Sequence, residues 1–157
     1  MESYFQLRKI YLDTCCLIRT FDDQTQVRIQ HETESIVCII AHFQAGHWLW
    51  ISSGILTFEV NQTFDSTQRD DINDLLNYVH QTVRIGTAEK ARGKTLAALG
   101  FKAADALHIA CAESGKADVL LTTDDRMLKQ SKRRLAQLHV RVENPHIWLQ
   151  EVSESEK

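Results

Sequence analysis

The chain has 157 residues, a formal net charge of −3, 43% hydrophobic and 25% charged residues, six glycines and one proline. That length carries one domain with a real core and falls short of two ordinary ones, while the composition excludes a disordered, collagen-like or mucin-like chain. The slightly acidic balance gives no global argument for nucleic-acid binding, so any such contact must rest on local charge.

The apolar run KIYLD (9 to 13) predicts a central parallel strand with Asp13 at its carboxyl end. Residues 28 to 44 place Ile29, Ile36, Ile40 and Phe43 at helical intervals, with Glu32 and Glu34 on the polar side of an amphipathic helix. HWLWISS (47 to 53) reads as a second buried strand in which Trp48 and Trp50 serve packing, and GILTFEVNQT as a short helix carrying Glu59. A helix over Asp70 to Val79, a strand at TVRIG (82 to 86) and a helix over 88 to 99 follow. AADALHIACAES is the next helix, closed by Gly115, and DVLLT the next strand.

A basic helix over about 125 to 136 and a strand at HVRV complete the pattern, which Pro145 breaks. HIWLQ is expected to cover one edge, with Trp148 either packed there or at a protein interface. The tail EVSESEK is expected to fray. The predicted organisation is one domain over 1–150 and a polar tail over 151–157. Strands separated by helices imply an α/β fold, a mainly parallel sheet with helices on both faces.

No signal-like or membrane-spanning apolar run is present, so a cytoplasmic protein without membrane contact is expected. Cys15, Cys16, Cys38 and Cys111 suit reduced residues better than a disulfide framework, and neither a C-x-x-C pair nor zinc-like histidine spacing occurs.

In a parallel sheet the carboxyl ends of the strands share one edge, the usual ligand site. Asp13 and Asp124 fall at two such ends; Asp105 lies in the first turn of its helix and Glu59 about two turns into another. Carboxylates brought together need a compensating cation, and hard oxygen donors suit Mg²⁺ or Mn²⁺. Such an ion orients and acidifies water and stabilises charge on a phosphodiester, so the implied chemistry is metal-assisted hydrolysis. Each acid also has a local use: Asp105 at a helix dipole, Asp124 as a helix cap, Asp13 and Glu59 as ordinary surface acids.

YLDTCCL, ISSGILTFEV, ADALHIACA and LLTTDD, in this order, resemble the acidic blocks of PIN-domain proteins of the ribonuclease-toxin type, over about Lys9 to Val142. The resemblance implies a three-layer α/β/α sandwich and Mg²⁺- or Mn²⁺-dependent endoribonuclease activity. It assigns the metal and catalytic acids to Asp13, Glu59, Asp105 and Asp124, with support from Thr14, Thr122 and Asp125, the last as auxiliary acid or cap. Some relatives carry a further acid where this chain has Gly54; Glu34 is not taken as its substitute, since its helix needs a polar face. The resemblance also implies a small antitoxin partner or a homodimer, and an RNA substrate.

Arg84, Arg92, Lys94, Arg126 and Lys129 are candidates for phosphate contact. The hydroxyls of Thr14, Thr122 and Thr123 can orient carboxylates or water, or cap the local backbone. His108, one turn from Asp105, is assigned to structure, because hydrolysis with water as nucleophile needs no histidine base. An aspartyl phosphatase is disfavoured by Cys15 standing where a D-x-D motif needs its second acid, and a receiver domain by Asp-Thr in place of an acid pair. A catalytically inactive PIN-like domain that binds protein or RNA is the alternative function.

Overall fold

A computed structural model describes residues 7–155. Among them, five parallel strands form one sheet in the order β3-β2-β1-β4-β5: β1 Lys9–Leu12, β2 Leu49–Ser53, β3 Gln81–Val83, β4 Val119–Leu121 and β5 Arg141–Glu143. The chain winds outward from β1 to β3 and then reverses to the other side of β1, so the reversal lies between β1 and β4. That is where an open parallel sheet leaves a crevice at its carboxyl edge.

Side chains alternate across a strand, and the core divides accordingly. Ile10, Leu12, Trp50, Val119 and Leu121 pack on one face with α2 (Val27–Gln44), α4 (Ser66–Leu76) and α8 (Pro145–Ser155). Tyr11, Ile51, Leu120 and Val142 pack on the other with α5 (Thr87–Ala98), α6 (Ala103–Ser114) and α7 (Asp125–Arg133). Two apolar layers against one sheet make the α/β/α sandwich. The remaining helices, α1 (Thr14–Arg19) and α3 (Gly54–Thr63), follow β1 and β2 directly.

Gly115 ends α6 for a steric reason. A Cβ there would lie 2.7 Å from the Ile51 methyl Cγ2 and 3.0 Å from that of Val83. Both neighbours are β-branched and stiff, so Gly115→Ala is expected to cost about 1–3 kcal/mol, read by denaturant unfolding. A loss below about 0.5 kcal/mol would mean that the sheet gives way at this point.

Several elements differ from the sequence expectations. The six-residue α1 was not foreseen, being too short for a periodicity to declare itself. The helix expected from Asp70 begins at Ser66, because Asp65 and Gln68 form a reciprocal capping box. Residues 151–155 of the expected tail are helical, as the end of α8, which runs to Ser155, and 156–157 lie outside the described residues. Pro145 opens this helix instead of only breaking a pattern, Asn144 Oδ1 accepts from the amides of His146 (2.8 Å) and Ile147 (3.2 Å), and Trp148 and Val152 bury one turn apart. Trp148 packs edge-to-face on Trp48, ring centroids 5.3 Å apart.

Glu32 is likewise not on a polar face. It is 2% exposed, meeting Arg19 Nε at 2.8 Å, Arg28 Nε at 3.2 Å and Asn144 Nδ2 at 2.6 Å. All four cysteines are free. Among the described residues no helix is long and apolar enough to cross a membrane.

Candidate metal centre

Asp13 follows β1 and Thr122 follows β4, so the pairing of these two strands brings both to the carboxyl edge. Thr122 Oγ1 donates to Asp13 Oδ2 at 2.8 Å and accepts from the amide of Asp124 at 3.1 Å. Cys15 Sγ closes the same corner, 3.2 Å from Asp13 Oδ2 and 3.1 Å from Thr122 Oγ1. Asp124 caps α7, its Oδ1 accepting from the amides of Arg126 (2.9 Å) and Met127 (3.3 Å). The capping role and a place at the crevice therefore coexist, since one oxygen serves the cap.

Asp105 stands in the first turn of α6. Burial raises its carboxyl to about 6, the charges of Asp13 and Asp124 push the same way, and His108 and Lys102 only partly offset them. Asp105 thus feels the charges of acids on two other elements. Glu59 Oε1 accepts from Thr14 Oγ1 at 2.7 Å and lies 2.6 Å from His108 Nε2. Burial opposes ionisation of Glu59, but these two donors hold it below the usual carboxylate range.

His108, assigned to structure from the sequence, lies among these acids. It is 1% exposed, with Nε2 3.4 Å from Asp13 Oδ1 and Nδ1 2.6 Å from the Tyr11 hydroxyl. Burial alone would lower its pKa; the negative charges of Asp13, Glu59 and Asp105 outweigh that and raise it. A signal existed: Tyr11 and Asp13 are two apart on a strand, His108 is three beyond Asp105 on a helix, and both spacings put residues on one side. Asp13, Glu59 and His108 offer ligand atoms within 4.8 Å of one another, so this cluster has the makings of a divalent metal site.

The other candidates divide. Asp125 is exposed and paired with Arg28 at 2.8 Å, and the cap of α7 is Asp124. Arg92 is committed elsewhere: its fork meets both oxygens of Glu113 at 2.7 and 3.1 Å and the Gln137 carbonyl at 2.7 Å. Glu113 is eight residues along α6 from Asp105, about 12 Å at 1.5 Å per residue. Arg84 and Lys94 are exposed, Lys94 beside a small apolar groove with Leu107. Arg126 and Lys129 are exposed on α7 and line a groove with Gly100, Asp125, Gln130 and Arg133. Thr123 is buried, its amide donating to Cys15 Sγ at 3.3 Å.

The fold is similar to that of a chain in the crystal structure of VapBC2 from Rickettsia felis bound to a DNA fragment from their promoter. The TM-score is 0.53 and the identity 11%, over 87% of this chain and 98% of that one. No curated protein is significantly similar in sequence. The PIN domain family pattern matches residues 10–133, which run from β1 to the end of α7 and include Asp13, Glu59, Asp105 and Asp124. A match over that span of the chain, on this sheet and around this crevice, makes the chain a member of the PIN domain family.

Proposed function

We propose that the chain is a metal-dependent endoribonuclease whose Asp13, Glu59, Asp105 and Asp124 hold Mg²⁺ or Mn²⁺. The observation that carries this reading is the crowding of carboxylates at the reversal of the sheet, where Asp105 is pushed to about 6 by burial and by the charges of Asp13 and Asp124. Hard oxygen donors with uncompensated negative charge fit a small divalent cation. When bound, the ion activates water and stabilises charge developing on a phosphodiester.

The chain's own part is to hold these donors. Thr122 fixes Asp13, Thr14 fixes Glu59, and the first amides of α7 fix Asp124. Arg126 and Lys129, immediately beyond Asp124, are the basic side chains best situated to hold phosphates. Arg84 and Lys94 can extend the path, while Arg92 is left out because Glu113 occupies it. The RNA substrate is inferred from the PIN family membership. The likeness to a VapBC2 chain supports a small antitoxin partner, with a homodimer as the other association to test.

The test is the purified chain against a broad RNA pool. Cleavage is expected with Mg²⁺ or Mn²⁺, is lost with EDTA and returns on adding either ion. Metal binding without cleavage across the pool would replace this reading with that of an inactive binding domain.

A further inference from the structure

Five polar groups form a line behind the crevice, buried except at its Glu59 end. The Leu56 amide donates to Ser53 Oγ at 3.3 Å, and Ser53 Oγ lies 2.6 Å from the Tyr11 hydroxyl. That hydroxyl lies 2.6 Å from His108 Nδ1, and His108 Nε2 lies 2.6 Å from Glu59 Oε1. Ser53 and Tyr11 are fully buried. A carboxylate can only accept, so Nε2 must carry the proton in this contact whether the ring is neutral or charged.

We infer that His108 is a positioning residue for Glu59 and not a metal ligand, with Tyr11, braced by Ser53, fixing the ring. The inference rests on the metal-centre reading above. In a neutral ring the lone pair of Nδ1 accepts from Tyr11; in a charged ring both nitrogens carry protons. Neither state turns a lone pair to the crevice. Glu59 Oε1 receives two donors, Thr14 and His108, so Oε2 is the oxygen left for a cation. An imidazole ligand would instead require Nε2 to lose its proton and its bond to Glu59.

The experiment loads the whole chain with Mn²⁺ and reads affinity and pulsed EPR, neither of which needs RNA cleavage. No directly coordinated nitrogen should be seen. Y11F keeps the ring in the core but releases His108, and should weaken Mn²⁺ binding about tenfold, the lower end of what supporting groups around metal ligands contribute. H108A should lose at least as much, while H108Q, whose amide N–H can still reach Glu59, should recover most of it. Thermal unfolding of each variant confirms that the losses come from folded protein. Strong nitrogen coupling that vanishes in H108A overturns the inference, as does wild-type Mn²⁺ affinity in Y11F. A wild-type chain that binds no Mn²⁺ overturns this inference and the nuclease reading together. Metal binding as expected with no RNA cleavage defeats only the nuclease reading.

Discussion

Asp105→Asn should unfold at a higher temperature than the wild-type chain in metal-free buffer at neutral pH, and should cleave RNA at least about a hundredfold more slowly in Mg²⁺ or Mn²⁺. Both effects have one origin. Burial and the charges of Asp13 and Asp124 raise the Asp105 carboxyl to about 6, against an ordinary value of 3.8. Between these values the folded chain holds a proton that the unfolded chain has lost, so stability falls as pH rises from about 4 to about 6 and stays low above it. Asn removes that charge at nearly constant shape. The gain is of the order of 1–2 kcal/mol, after allowing for solvent screening of a partly exposed group.

A divalent ion should reverse the ranking. It binds the folded wild type and stabilises it by mass action, whereas the variant has lost one of its negative donors. Thermal scans at pH 4.5 and 7.5, with and without Mn²⁺, therefore read the electrostatics independently of the RNA assay. A helix-dipole role alone predicts a small loss of stability and little loss of activity. Full cleavage by folded D105N would sink the assignment of Asp105.

Glu32→Ala should lower stability by about 3 kcal/mol, the low end of the range found when one partner of a buried ion pair is removed, because Arg28 is half exposed and keeps Asp125 while Arg19 keeps Asp22. At roughly 2–4 °C per kcal/mol for a chain of this size, the midpoint falls by about 10 °C. Arg19 and Arg28 would lose their shared anion, and Asn144, whose side-chain oxygen caps α8, would lose the acceptor of its amide. The damage therefore joins α1, α2 and the start of α8. Removing Arg19 in the Glu32→Ala background should cost less than removing it from the wild type, since the charge it serves is gone. A midpoint within about 2 °C of wild type would show that water replaces these contacts and that the cluster is less closed than its burial implies.

What depends on short spacings was legible in the order of the amino acids. KIYLD specified a central strand as a short continuous apolar run ending in an acid, and the structure buries Ile10 and Leu12 on one face and Tyr11 on the other. The sequence also placed Asp13 and Asp124 at strand exits and Asp105 at a helix start, because strand ends and first turns are local events. The resemblance in four acidic blocks added the layered fold and the order of the acids.

Which side chains meet depends on the packing of elements far apart in the chain. Tyr11 reaches Ser53 across 42 residues and His108 across 97, through the pairing of β1 with β2 and the packing of α6 on that face. Glu32 reads as a polar helix position because its partners Arg19 and Asn144 lie on other elements, and burial of an acid is tolerable only once they arrive. Residues 151–155 read as polar because the surface on which α8 packs, α2 with Trp48, exists only after folding. Periodicity is a property of one segment, whereas the partners that make a buried polar group affordable come from several. The positions of the acids at strand exits and helix starts were therefore legible in the sequence, whereas the meeting of His108 with Glu59 and Tyr11 depended on packing between distant elements.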